Sequence, residues 1–441
     1  MLTFGCLFLM GSYFCFDNPA PLKHDFQRAP FYLTEAQWSG LYSIYSLPNM
    51  VLPLLGGIFV DRIGVRLGLV LFTIILTLGQ LIFAIGGYRG SFGWMMLGRF
   101  VFGLGGECMT VAQSAIVASW FQGKELAFAY GLVLSVARIG SSVNGPVEAG
   151  LAEKYSVGFA LLIGFYICVF SLVMAFLLVG IDAWAAKKDG ASAKLTEAEK
   201  FKLSDLKQFN RLPFWLATAS CTICYMVIFP YVQYSSDMLQ ERYGFGHSAG
   251  TYYALPYVIS GLASPALGLM IDKLGKRALF VSQSSVFVLF ACVATMLIPP
   301  AEAGAGPQYW CVLPLILLGI GYSIFAAALW GCIPYTVPSR LVGTAFGLCT
   351  AVQNIGLTVS PMVSAALLEA DRQGGYVSLM LYFILLTVVG LGFNLWLYWD
   401  DLRNRRGILD TVDDGKNLAE LMEEVYPRTD QAKTPKDKRK E

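Results

Sequence analysis

Residues 57–66 read GIFVDRIGVR and residues 268–277 read GLMIDKLGKR. One pattern runs through both: Gly57, Asp61, Arg62, Gly64 and Arg66 in the first, Gly268, Asp272, Lys273, Gly275 and Arg277 in the second. Each copy stands between two apolar runs, in the same place of its half of the chain, and such an internal repeat marks a transporter built from two related helical bundles. Gly64 and Gly275 permit a tight reversal between helices, and Asp61 and Asp272 can accept bonds from the amides that open the next helix. The basic residues stay in water, where pairing with neighbouring helices in one conformation would make them a latch.

Working outward from these loops, the chain reads as a membrane protein. It has 441 residues, 56% of them hydrophobic and 14% charged, and a mean hydropathy of +0.58. That excludes a water-soluble enzyme, and a net charge of +2 gives no global field for gathering nucleic acid. Apolar runs of membrane length stand at 1–16, 36–60, 68–87, 93–119, 125–152 and 157–181, and again at 212–236, 248–271, 278–299, 309–335, 341–367 and 374–399. The expected fold is all-α, with twelve transmembrane helices in two six-helix bundles, 1–181 and 212–399. Residues 182–211 are expected to form a cytosolic linker, and 400–441 a charged tail too polar to order itself.

Positive residues are retained in the cytosol during insertion. The odd-numbered connections hold six, Lys23, Arg28, Arg89, Lys154, Arg242 and Arg372, whereas the even-numbered connections and the tail hold twenty-four of the 32. Both termini are therefore expected on the cytosolic side. The first run, 16 residues, spans about 24 Å against a hydrocarbon core of about 30 Å, so the first helix is short or the natural N-terminus lies upstream. A cleaved signal peptide fits less well, because no basic stretch precedes the run.

Enzymatic chemistry finds no foothold. The ten cysteines lie in or against apolar runs and read as small packing residues, including the Cys221 and Cys224 pair one helical turn apart. His24 and His247, the only histidines, fall in expected loops, so no histidine–carboxylate metal set is expected. No GxSxG elbow and no P-loop occurs. Neither a cofactor nor a metal is expected.

The doubled loop pattern resembles that of the major facilitator superfamily. GSYFCFDNPAPL (11–22), GRFVFGLGGE (98–107), SWFQGKEL (119–126), ARIGSSVN (137–144), VPSRLVGTAFG (337–347) and AVQNIGL (351–357) are similar to a lysosomal branch of it, over the whole membrane portion but not the tail. That resemblance implies a uniporter that moves dipeptides out of the lysosome, accompanied by a glycosylated lysosomal membrane protein as accessory subunit. The chain itself contains no Asn-x-Ser/Thr sequon, which is consistent with a glycosylated escort. Short, protease-resistant lumenal loops explain the absence equally well.

Ionisable residues deep in a bilayer cost about 2.5 to 3.5 kcal/mol each on insertion scales, so each is a functional candidate. Glu107 falls near the midpoint of the fourth run and Arg138 near that of the fifth, at the depth where such carriers bind cargo. A dipeptide zwitterion has an ammonium and a carboxylate, so Arg138 is expected to take the carboxylate through a two-pronged contact and Glu107 the ammonium. The family resemblance supports the same assignment. The plainer reading is that the two neutralise each other inside the bundle. With Arg138 nearby, Glu107 is expected to stay ionised, which favours gradient-driven transport over proton coupling.

Further pocket candidates are Asp17, Asn18, Gln113, Asn144, Tyr322, Trp330, Gln353 and Asn354, each of which has an ordinary reading as cap, interhelical glue or packing. Tyr335 could wall the same pocket. Arg99, about one and a half turns into its run, reads as a structural residue snorkelling to the surface. Rival functions are a carrier of another small organic anion and a non-transporting membrane scaffold or sensor. Drug export is disfavoured, because Glu148 interrupts the glycine-proline pattern of GSSVNGPVEAG (140–150).

Overall fold

A computed structural model describes residues 1–121, 124–189, 209, 211–302, 306–337, 341–370 and 376–412, without the side chains of 57–62, 118–119, 124–128, 130, 189, 247 and 343. Among these residues there are sixteen α-helices and no strand. They are α1 (Leu2–Phe8), α2 (Met10–Phe16), α3 (Lys23–Gln27), α4 (Glu35–Ser46), α5 (Leu52–Ile63), α6 (Val65–Arg89), α7 (Phe92–Trp120), α8 (Lys124–Lys154), α9 (Val157–Asp189), α10 (Leu212–Glu241), α11 (Ala249–Tyr252), α12 (Leu255–Leu274), α13 (Arg277–Leu297), α14 (Val312–Cys332), α15 (Val342–Ala370) and α16 (Val377–Asn404).

Every apolar run read from the sequence is helical. Nine helices among the described residues are long and apolar enough to cross a membrane. The other three runs depart from that simple form for local reasons. The first is short and interrupted at Leu9 between α1 and α2. The second is broken by a 3-10 turn at Pro48–Met50, where proline removes an amide from the helical ladder. The third, α8, carries Arg138 and Glu148 within it and a proline at 146.

The packing of α6 on α7 needs glycine. A Cβ at Gly79 of α6 would lie 2.3 Å from the Phe102 amide nitrogen, and one at Gly98 of α7 would lie 2.4 Å from that of Phe83. Backbone thus packs on backbone between α6 and α7, the close approach that small residues allow in membranes. Elsewhere large side chains face outward, among them Leu78, Phe170, Leu262, Phe290 and Leu385, as a lipid-facing surface requires.

Two apolar cores result. The smaller joins α1, α2, α6, α7, α8 and α9 through residues such as Phe8, Leu76, Phe102 and Leu178. The larger fills the second half but also takes in Leu22, Phe26, Trp38 and Tyr42 from the first. The halves therefore share a core at the end of the molecule opposite the two repeated loops. We call these ends the motif face and the opposite face.

At the motif face, Gly64 and Gly275 have φ of +88° and +65°, the left-handed region that glycine occupies without strain. Arg66 pairs with Asp182 at 2.6 Å and bonds its carbonyl at 3.1 Å. Arg277, buried, donates to Asp272 at 3.3 Å and to the Thr411 carbonyl at 3.0 Å, with its guanidinium over Tyr335. Tyr335 thus belongs to this face and does not wall a central pocket. Gly268 and Lys273 lie in the same segment at the end of α12; Gly57 lies in α5, while the side chains of Asp61 and Arg62 lie outside the described residues. The polar stretch read as a linker begins inside α9, which runs to Asp189. The stretch read as a disordered tail is ordered at its start: α16 reaches Asn404, and Ile408 and Leu409 are fully buried.

Candidate functional site

Arg138 lies on α8 and Glu107 on α7, and Arg138 reaches the second half. Arg138 is 6% exposed. Its Nη1 donates to Ser264 Oγ on α12 at 2.6 Å, and its guanidinium lies 4.8 Å from the centre of the Tyr322 ring on α14. Both partners come from the second half. Glu107 is partly exposed and, among the described residues, makes no hydrogen bond or ion pair; in particular, none joins it to Arg138. The fields of both charges reach the Tyr13 phenol on α2. Arg138 is thus engaged by the second half and no bond joins it to Glu107, so the plainer reading, in which the two neutralise each other, does not describe this conformation.

Aromatic rings gather beside Arg138. Tyr225 and Phe229 of α10 stack at 5.3 Å, each with its edge toward Tyr322, and Phe229 meets Phe16 of α2 at 5.7 Å. Trp330 Nε1 donates to the Tyr225 hydroxyl at 3.1 Å. Of the sequence candidates, Tyr322 lies beside Arg138 and Trp330 bonds Tyr225, whereas Ser264, Tyr225 and Phe229 were missed. The seam residues among them lie in apolar runs with nothing local to distinguish them from packing.

The remaining candidates divide by partner. Asp17, at the end of α2 and 1% exposed, accepts a 2.8 Å bond from Tyr257 on α12, and its other oxygen has no partner. The Asn18 and Asn144 amides meet at 2.7 Å, and Asn144 also accepts from Tyr253 at 3.3 Å. With its amide oxygen toward Gln80, Asn18 reaches Glu148 at 3.3 Å. Glu148, fully buried, enters the sequence reading only as a break in a motif. Gln113 is buried beside Gly5 of α1, inside the first half. Asn354 donates to Thr350 in its own helix, and Gln353 faces Cys221. These last three are not brought to Arg138 and Glu107.

Arg99 corrects an expectation. It does not reach a surface: it is fully buried, and it donates to the carbonyls of Leu41, Cys15 and Phe16 at 3.1, 3.0 and 3.0 Å. Five aromatic rings surround it at 5.4 to 5.8 Å. The carbonyls that end α2 lack helical partners, and Arg99 supplies them.

At the opposite face the halves are clasped. Lys23 of α3, 1% exposed, lies 2.5 Å from Asp237 of α10 and 3.0 Å from Glu35 of α4, with its ammonium over the Trp38 and Tyr234 rings. The Tyr376 hydroxyl also donates to Asp237. Burial alone would lower the Lys23 pKa, but Asp237 and Glu35 more than offset it and hold the group above its usual 10.5. Ser43 Oγ donates to the Thr358 carbonyl at 2.8 Å. Main chains touch as well: a Cβ on Gly145 would lie 2.1 Å from the Gly250 carbonyl oxygen. Lys23 and Asp237 stand 214 residues apart, each at the edge of an apolar run, and periodicity cannot pair them.

The comparisons with known proteins agree with this architecture. The family model of the Major Facilitator Superfamily matches residues 1–361. The mouse protein (Mus musculus) named lysosomal dipeptide transporter MFSD1 is 38% identical over 410 residues, 90% of this chain and 85% of that one. The zebrafish protein (Danio rerio) of the same name is 36% identical over 92% of this chain and 88% of its own. Among solved structures, a peptide transporter POT in complex with alafosfalin superposes with a TM-score of 0.70 at 15% identity, covering 93% of this chain and 95% of that one. The nucleoside transporter NupG superposes at 0.71 and 13% identity, covering 90% and 100%. At such identities the structures show the fold alone. With its repeated loops, its apolar helices and relatives of this similarity over nine-tenths of its length, the chain is a membrane transporter and belongs to the major facilitator superfamily.

Proposed function

We propose that this transporter carries dipeptides by alternating access, as a uniporter that releases them from the lysosome to the cytosol. The names of its relatives support the cargo and the compartment. The observation that carries the reading is that Glu107 and Arg138 are not bonded to each other: two ionisable groups of opposite sign are kept in the membrane at a cost, and a zwitterionic visitor can pair with both. Arg138 takes the terminal carboxylate with two parallel N–H donors, and Glu107 accepts the ammonium. Tyr322, Tyr225, Phe229 and Phe16 offer sequence-tolerant apolar surface for the side chains. At 6% exposure Arg138 is covered, so cargo enters when Ser264 and Tyr322 move away with the second half.

In this reading 1–181 and 212–399 form the two bundles, joined by a cytosolic linker at 182–211, with both termini and the tail 400–441 in the cytosol. The opposite face is then lumenal, and the clasp at Lys23 closes the carrier toward the lumen. Arg66, Arg277 and their partners are the latch of the cytosolic face. A glycosylated accessory subunit shields the lumenal loops. No step requires a cofactor, and proton coupling is not needed.

The test is ligand-induced thermal stabilisation of purified protein. Arg138→Ala should abolish the rise in Tm caused by a dipeptide while leaving the unliganded Tm near that of the wild type; unchanged stabilisation would falsify the clamp. An N-acetylated dipeptide, which lacks the ammonium, should stabilise poorly. Equal stabilisation would instead indicate a carrier of organic anions.

A further inference from the structure

The lumenal clasp borders a cavity of about 460 Å³ whose charged lining is Lys23, Glu35, Asp237, Glu241 and Glu369. One positive group faces four negative ones, and the field of Arg28 adds a second positive contribution at Glu241. An excess of anionic groups in a partly enclosed space calls for a further cation. His24 of α3 meets the same cluster. One ring nitrogen of His24 and one carboxylate oxygen each of Asp237 and Glu241 lie within 4.8 Å of one another. Asp237 and Glu241 are four residues apart on α10, hence on one helical face. Asp237, 2% exposed, uses one oxygen for Lys23 and Tyr376, and its other oxygen, Oδ1, is buried with no hydrogen-bond donor.

We propose that His24, Asp237 and Glu241 bind a divalent transition-metal ion, zinc by the chemistry of the donors, and that the ion cross-links α3 to α10 across the lumenal seam. One imidazole with two carboxylates, completed by water, suits zinc, whereas magnesium and calcium prefer oxygen donors throughout. Lys23 and Tyr376 bond Oδ2 of Asp237, which leaves Oδ1 for the ion. The ion adds a second tie beside the Lys23–Asp237 pair, on the face that must open to admit cargo from the lumen, so bound zinc slows the cycle. The inference is independent of which solute is carried. His24 and Asp237 stand in different halves of the chain, so no local pattern pointed to such a set.

The experiment uses the full chain in detergent, stripped with a chelator and titrated with Zn²⁺ alone. One equivalent should bind saturably and raise the Tm by a few degrees, with no such effect from Mg²⁺. His24→Ala and Glu241→Gln should each weaken binding by more than about tenfold. His24 is half-buried in a five-residue helix, so His24→Ala serves even if Glu241→Gln fails to fold. X-ray absorption of the bound ion should show nitrogen and oxygen neighbours. No saturable binding, binding that survives His24→Ala, or sulfur in the coordination shell, which would move the ion to cysteines, each overturns the site.

Discussion

Replacing Lys23 by methionine tests how the two halves are held together. The substitution keeps an unbranched apolar side chain against Trp38 and Tyr234 but deletes the ammonium 2.5 Å from Asp237 and 3.0 Å from Glu35. At an effective dielectric of about 20, those distances correspond to about 6 kcal/mol of attraction each. Desolvation consumes much of it, and removal of one partner of a buried pair costs about 3 to 5 kcal/mol. Because the clasp joins the halves, that cost falls on the state closed at this face, whose population relative to the open state should drop by a factor of about a hundred to several thousand. Hydrogen exchange of residues 17–35 and 231–241 should accelerate accordingly. In a double-mutant cycle with Asp237→Asn, the pair should lose less than the sum of the single effects, because neither variant then leaves a buried charge unpaired. A coupling within about 0.5 kcal/mol of zero, or unchanged exchange in both segments, would show that the halves are held by packing and that the ion pair is incidental.

Other expectations follow from the same structure. The Lys23 pKa is raised above 10.5, so its stabilisation is complete below that value and lost only as pH rises through the folded-state pKa. The Tm difference between wild type and Lys23→Met should therefore be flat from about pH 7 to about pH 9; a difference that shrinks within that window contradicts the assignment. Arg99→Lys keeps the charge but cannot reach three carbonyls in a planar fork; it should lower the Tm and increase hydrogen exchange at the end of α2, and a Tm equal to wild type would argue against Arg99 as the cap. Gly98→Val forces a side chain into the Phe83 backbone and should cost at least about 1 to 3 kcal/mol. Gly131→Ala, in α8 with open space around it, should be neutral or stabilise by up to about 1 kcal/mol, and similar melting of the two variants would refute the packing described between α6 and α7.

How far the sequence was readable depended on the distance over which each signal acts. The repeated loops, the twelve apolar runs and the positions of Glu107 and Arg138 are local facts: hydropathy, a glycine at a reversal, and helical rise measured from the end of a run. They needed no partner to be seen. What escaped was pairing at long range. Arg99 looked able to snorkel because it stands near the start of α7, yet α2 and α4 enclose it and offer three carbonyls. His24 and Lys23 looked like loop residues until α10 brought Asp237 to them. Ile408 and Leu409 followed a charged stretch and were read with the tail, although they pack beneath the loop at Gly275.

The contact of Gly145 with Gly250 has a mechanical consequence. Where two bodies touch main chain to main chain, with the Tyr253 ring packed beside the contact, few side chains have to change as they tilt, and the point of contact can serve as a fulcrum. A single methyl group there would act as a wedge: it would meet the Gly250 oxygen at 2.1 Å, about an ångström inside ordinary contact. Helices of 20 to 31 residues radiate from this region, so leverage along about 30 Å or more of rigid rod would turn that small push into a wider parting at the far end.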